Sequence, residues 1–262
     1  MANCFSLFAT ALLSFAALIL AIVACAGSTK NYDPINKIYA AQIDISDINL
    51  STVLPAVSSS TSLDQLGLPS YFNIGLWSYC LADSSKTVTS CTSPSGIQKF
   101  NLKELLYDNF ENNRVNELID SIADIALPDQ LQDNMSYYNN LVKCMFITLI
   151  IGILLTFVNL VINILRWFFH FAIVTWLGRL FSLLGFLSLA ISAGTSTGTY
   201  VYIRNILRDN SSEYGISLSL GRVFYGILWG SVLGCLLNLL MWASVRNRRY
   251  ARMVPIEEKP LV

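Results

Sequence analysis

Histidine is almost missing from this chain. A single one, His170, stands among 262 residues, which excludes the HExxH arrangement of zinc peptidases. The pentapeptide Gly194-Thr195-Ser196-Thr197-Gly198 does match the G-x-S-x-G pattern of serine hydrolases. That chemistry needs a strand-turn-helix elbow and a histidine base within hydrogen-bond reach. His170 lies 26 residues before Ser196, about 39 Å away if the intervening chain is helical. His170 itself, among Trp167, Phe168, Phe169 and Phe171, suits a membrane interface. A Walker-type phosphate loop is lacking as well. The expectation is a protein without catalytic residues, cofactor or metal, and without a nucleic-acid partner.

Charge is the second scarcity. Only 13% of residues are charged, with 17 basic side chains balancing 17 acidic ones. Four windows contain no Asp, Glu, Lys or Arg: Phe5 to Ala26, Cys144 to Leu165, Leu180 to Ile203 and Val223 to Val245. A hydrocarbon core about 30 Å thick needs roughly 20 apolar residues at about 1.5 Å each. A soluble domain would show amphipathic spacing instead of filling whole windows. The expected architecture is an all-α transmembrane four-helix bundle carrying a small mixed α/β, disulfide-bonded extracellular domain.

Local charge sets the expected orientation. The short connection holding Arg166 and Arg179 has no acid, and the tail carries Arg246, Arg248, Arg249, Arg252 and Lys259 against Glu257 and Glu258. Both belong on the cytoplasmic side by the positive-inside rule. From Gly27 to Leu141 six basic residues face thirteen acidic ones, and long segments of this kind translocate largely regardless of charge. The expected order is a first span over 1–26, an external domain over 27–141 and a second span over 142–165. A cytoplasmic loop over 166–179, a third span over 180–203 and an external loop over 204–222 follow. The fourth span covers 223–245 and the cytoplasmic tail 246–262, so both termini are cytoplasmic. The glycosylation sequons at Asn49, Asn134 and Asn210 all fall in segments placed outside by charge alone. Ala24-Cys25-Ala26 resembles a signal-peptidase site, but the apolar stretch is too long for a signal and Met1 to Cys4 carries no basic residue, so an uncleaved anchor is expected.

Cysteines are few, and only Cys80 and Cys91 lie in the large external segment. Oxidising surroundings let a bridge between them persist. The turn-prone Asp83-Ser84-Ser85 would bring them together across a hairpin of Tyr71 to Ala82 and Lys86 to Ser93. On that strand Trp77 and Tyr79 would share one face, and Leu76, Ser78 and Cys80 the other. Trp77 is expected to pack a small core or rest at the interface. Lys37 to Ser46 alternates like a strand, and Val53 to Leu68 reads as a loop. Asn101 and Glu104 open a helix whose stripe of Leu105, Leu118, Ile119, Ile122 and Ala126 ends at Pro128. Cys25, Cys144 and Cys235 read as small apolar packing residues, and Cys4 is a palmitoylation candidate.

Within the spans, Gly226, Gly230 and Gly234 form a GxxxGxxxG series that lets another helix approach closely. Gly178, Ser182, Gly185, Ser188 and Ser192 make a looser small-residue stripe in the third span. Asn159, Asn163 and Asn238 must find hydrogen-bond partners inside the bundle. No Asp, Glu or Lys lies deep in a span, which disfavours a proton or ion pathway. The tail arginines Arg246, Arg248, Arg249 and Arg252 suit anionic lipid.

Four spans and a large first external loop with Gly75-Leu76-Trp77-x-x-Cys80 followed by Cys91 resemble the claudin-like superfamily. Within it the chain resembles the fungal Sur-seven/PalI family through Leu20 to Tyr39, Asn73 to Cys80, Tyr137 to Asn159 and Pro255 to Val262. The resemblance implies residence in plasma-membrane patches of the eisosome type, with roles in cell-wall organisation, stress response and filamentous growth. Trp77 is the only Trp in the external segment, where animal claudins usually carry a second one upstream. Tight-junction strand assembly is therefore not implied. Expected partners are membrane lipids, further copies of the chain or related four-span proteins, and eisosome coat or cell-wall components. A channel or transporter, or a membrane stress or pH sensor, are the alternative readings.

Overall fold

The computed structural model describes residues 2–46, 69–94, 135–168, 172–209 and 215–244. Four long helices dominate: α1 (Ala2–Cys25), α2 (Met135–Phe168), α3 (Ala172–Asp209) and α4 (Arg222–Ser244). Each is long and apolar enough to cross a membrane. They run up and down in turn. Thr10 and Ser14 of α1 meet Asn163 of α2, Ser188 and Ser192 of α3 bond the Thr148 and Met145 carbonyls of α2, and Ser182 pairs with Asn238 of α4. Ala17 of α1 lies against Gly234 of α4, which closes the ring.

The helices overrun the expected spans. With 34 and 38 residues, α2 and α3 are about 51 and 57 Å long, well beyond the hydrocarbon thickness. No proline interrupts them, so helix continues through most of 166–179 and all of 204–209. At one end the excess length becomes a platform, where Tyr200, Ile203, Ile206 and Leu207 of α3 are buried in the core shared with the sheet.

On that platform sits a five-stranded antiparallel sheet of β1 (Ala41–Asp44), β2 (Tyr71–Ile74), β3 (Tyr79–Ala82), β4 (Val88–Cys91) and β5 (Ser217–Leu220). Its order is β4-β3-β2-β1-β5. Central pairing is apolar, with Ile43 opposite Phe72, both almost fully buried. One position along, the buried Gln42 amide donates to Asn73 Oδ1 at 2.7 Å, so that the polar pair satisfies itself.

Two strand expectations are corrected. Tyr71 to Ala82 is not one strand: the Gly75 N–H donates to the Ser78 carbonyl at 2.9 Å, and this turn folds the run into the β2–β3 hairpin. Trp77 therefore projects from a turn and shares no strand face with Tyr79. The strand expected over Lys37 to Ser46 shrinks to Ala41–Asp44, preceded by a 3₁₀ turn at Ile35–Lys37. Ala41, Gln42 and Ile43 are all buried, because both faces of this central strand are covered. The helix expected over 101–128 and the loop over 53–68 lie outside the described residues.

The β3–β4 turn is ordered by one carboxylate. Asp83 Oδ1 accepts from the Ser85 hydroxyl at 2.6 Å and from the Ser85 and Thr87 N–H groups, each at 2.9 Å. The Ser85 hydroxyl, then the Thr87 N–H, hold its pKa below the usual carboxylate range. A depressed folded-state value means that the turn's stabilisation is complete above the ordinary Asp pKa and is lost as pH falls through the lowered one. A carboxyl-carbon NMR titration is expected to give Asp83 a midpoint below that of a solvated aspartate. An ordinary midpoint would remove the ionic turn.

A seam between the sheet and the first helix

The residues Gly75, Leu76, Trp77 and Cys80 converge where the sheet meets the bundle. The indole N–H of Trp77 donates to Cys25 Sγ at 3.3 Å, at the last residue of α1. Its ring stands edge-on to Phe146 of α2, with centroids 4.6 Å apart and planes at 82°. Trp77 thereby touches both helices that flank the cap. Leu76 is buried beside it in the same apolar core.

The chain leaving α1 completes the seam. Ser28 adopts a left-handed conformation with φ 56°, which turns the backbone sharply under the sheet. Its hydroxyl donates to the Ile38 carbonyl at 3.0 Å, and its own carbonyl accepts the Ser78 hydroxyl at 2.6 Å. Gly75 lies against this bend: an added Cβ would stand 2.6 Å from the Gly27 carbonyl oxygen and 2.8 Å from both Ser28 Cβ and the Ser78 carbonyl oxygen. Cys80 sits opposite Cys91 in the β3–β4 register, and the two are joined as a disulfide. The bridge clamps the outer strand to the strand that follows the Trp77 turn.

β5 contributes from far away in sequence. It pairs with β1 through Ala41 opposite Leu220, and the Gly221 N–H donates to the Ala40 carbonyl at 3.2 Å. A side chain at Gly221 would collide with the Tyr39 carbonyl. The strand lies inside the segment expected as a 204–222 loop, although Ile216-Ser217-Leu218-Ser219-Leu220 alternates with a period of two. Cys25 and Phe146 carried no comparable signal, since any apolar residue in a span looks alike. Ser28 carried none either.

Inside the bundle the small and polar residues are mostly consumed by the chain itself. A Cβ added at Gly234 would stand 3.1 Å from Ala17 Cβ and one at Gly230 3.5 Å from Leu20 Cδ1, whereas Gly226 has open space. Asn159 and Asn163 donate to Ser14 Oγ at 3.2 and 2.8 Å, and Asn238 to Ser182 Oγ at 3.2 Å. Gly178 abuts the Trp242 ring and Gly185 lies beside Thr156. Residues 194–198 are helical, and Ser196 Oγ is 3.1 Å from the Tyr225 hydroxyl, so the G-x-S-x-G match forms no nucleophile elbow. Gly194 and Gly198 face open space. They line a cavity of about 540 Å³ with Tyr138, Leu141, Thr199 and Tyr202. The sequon residues Asn49, Asn134 and Asn210 and the tail residues Arg246, Arg248, Arg249 and Arg252 lie outside the described residues, as does the side chain of Cys4.

The model of the SUR7/PalI family matches residues 6–241. Protein PUN1 of Saccharomyces cerevisiae is 59% identical over 265 aligned positions, which cover 100% of both chains. SUR7 family protein pun1 of Schizosaccharomyces pombe is 27% identical over 60% of this chain and 53% of its own.

Proposed function

This chain belongs to the SUR7/PalI family, and from that premise we propose that it is a non-catalytic organiser of the plasma membrane. In this reading it gathers laterally into domains of the eisosome type and supports cell-wall integrity, stress response and filamentous growth. It is a multi-pass membrane protein; both termini are assigned to the cytoplasm and the sheet to the wall side by the charge distribution.

One observation carries the reading: the cap and the bundle share a single continuous core, running from Ala17 and Cys25 through Leu76 and Phe72 to Tyr200 and Leu228. A lateral contact made by either part therefore orients both. Copies that associate in the membrane would present their caps to the wall as an ordered array. The tail arginines would hold the opposite side to anionic lipid or to coat proteins. The reading is tested by imaging a tagged full-length chain beside an eisosome coat marker, with crosslinking in intact cells. Coincident patches and crosslinked oligomers are expected; uniform, monomeric signal would sink it.

The glycines distinguish folding from assembly. Gly234→Leu is expected to destabilise the chain, because α1 and α4 are already in contact there. Gly226→Leu, at the member of the GxxxGxxxG series with open space around it, is expected to leave the fold intact while lowering the crosslinked fraction several-fold, about 1 kcal/mol or more of association energy. Equal crosslinking in wild type and Gly226→Leu would place the lateral contact elsewhere.

A further inference from the structure

We propose that the end of the bundle away from the sheet binds a phosphate group through Arg166 of α2, Arg179 of α3 and Trp242 of α4. Arg166 is the first charged residue after the Cys144 to Leu165 window, yet it is only 8% exposed. Its guanidinium carbon lies 5.0 Å from the centre of the Trp242 ring. One terminal nitrogen, Nη1, is buried with no hydrogen-bond partner, and so is the indole nitrogen of the fully buried Trp242. Arg179 brings a second guanidinium to the same tryptophan, its Nε donating to the Trp242 carbonyl at 3.1 Å.

No acid of the bundle balances the charge of Arg166. The sequence contains no Asp or Glu before Asp33, between Asp133 and Asp209, or between Glu213 and Glu257. Among the described residues the one ion pair is Lys37 with Asp33, near the sheet. A cation–π contact covers one face of the Arg166 guanidinium and does not supply an acceptor for its in-plane Nη1 donors. A buried charge persists only when paired and hydrogen-bonded, so the missing component is an anion with several acceptor oxygens.

Phosphate fits that description. Its oxygens match the guanidinium fork two at a time and leave others for the indole N–H. The depth also fits: an apolar window that ends at Leu165 places Arg166 at the level where lipid phosphates lie. The same chemistry could be supplied by a lipid headgroup or by free phosphate, and the residues proposed here include none of the tail arginines.

The test uses the full chain in nanodiscs of phosphatidylcholine, with or without a minor fraction of phosphatidylserine or phosphatidylinositol 4-phosphate. Native mass spectrometry counts retained anionic lipid, and thermal unfolding in phosphatidylcholine alone is followed with added inorganic phosphate. One anionic lipid per chain is expected, with retention falling about tenfold in Arg166→Gln. It should persist when Arg246, Arg248, Arg249 and Arg252 are all changed to Gln. A phosphate-dependent rise in unfolding temperature that Arg166→Gln abolishes would instead identify free phosphate as the source. Monodisperse elution with the Cys80–Cys91 bridge intact certifies the fold of each variant. Should Arg166→Gln fail that check, Trp242→Phe, which deletes the indole donor, is expected to lower retention a few-fold. Equal retention in wild type and variants without a phosphate shift overturns the proposal. So does binding that appears only after Glu257→Gln and Glu258→Gln, since the chain's own tail would then occupy the site.

Discussion

Trp77→Ala is expected to release the sheet from the bundle and to cost about 3 kcal/mol. Burying and then truncating a tryptophan typically costs about 3–5 kcal/mol, and Trp77 is only partly buried, which favours the lower figure. The change removes the edge-on contact with Phe146 and the N–H donated to Cys25 together. Against a total stability of roughly 5–15 kcal/mol, a loss of this size should reduce surface delivery several-fold and expose the cap to protease. Trp77→Phe separates the two contributions: it keeps a ring against Phe146 and gives up a weak N–H to sulfur bond, for about 1 kcal/mol or less. Thermal unfolding in detergent, read alongside the surface fraction in cells, checks both variants. An alanine variant that melts and travels like wild type would show that Trp77 does not hold the seam.

Gly75→Ala should be at least as damaging, although it adds a single methyl group. Two of the three atoms that the new Cβ would meet are backbone carbonyl oxygens, of Gly27 and Ser78, and the third is the Cβ of Ser28. None is the far end of a flexible side chain that could swing aside. Relief requires separating the β2–β3 turn from the bend after α1, which also breaks the Ser78 hydroxyl bond to the Ser28 carbonyl. Overpacking costs about 1–3 kcal/mol where neighbours can shift, and here the upper end, about 3 kcal/mol, is expected. Gly226→Ala is the matched control: with nothing beyond its own helix backbone within 4 Å of its Cβ position, it should be neutral or slightly stabilising. Comparable losses from the two substitutions would show that general glycine chemistry, and not this contact, sets the cost.

Both predictions concern residues that stand out in the sequence, yet the sequence reading assigned them the wrong local geometry. A strand through Tyr71 to Ala82 respects the local alternation, and nothing nearby in sequence says that Gly75 must make room for the Gly27 carbonyl. The contact joins positions about fifty residues apart. Similarly, the GxxxGxxxG series in α4 was legible as a packing face, but its occupant was not. Gly234 is filled by Ala17 and Gly226 is left open, a division that depends on where α1 crosses α4. The α3 stripe also reads clearly from spacing, while its partners, the Met145 and Thr148 carbonyls and Asn238, emerge only from the packed helices.

What the amino-acid order determines alone is the number of spans, the segment held outside them and the pair of cysteines available to bridge. These follow from composition over windows of about twenty residues, a quantity that no tertiary contact can alter. Tertiary structure alone decides that β5 closes the sheet from beyond α3, that Trp77 rivets a turn to Cys25 and Phe146, and that Arg166 and Arg179 meet at Trp242. Each of these joins parts of the chain that no local pattern relates. They come together because every buried backbone group and charge must find its partner somewhere in space.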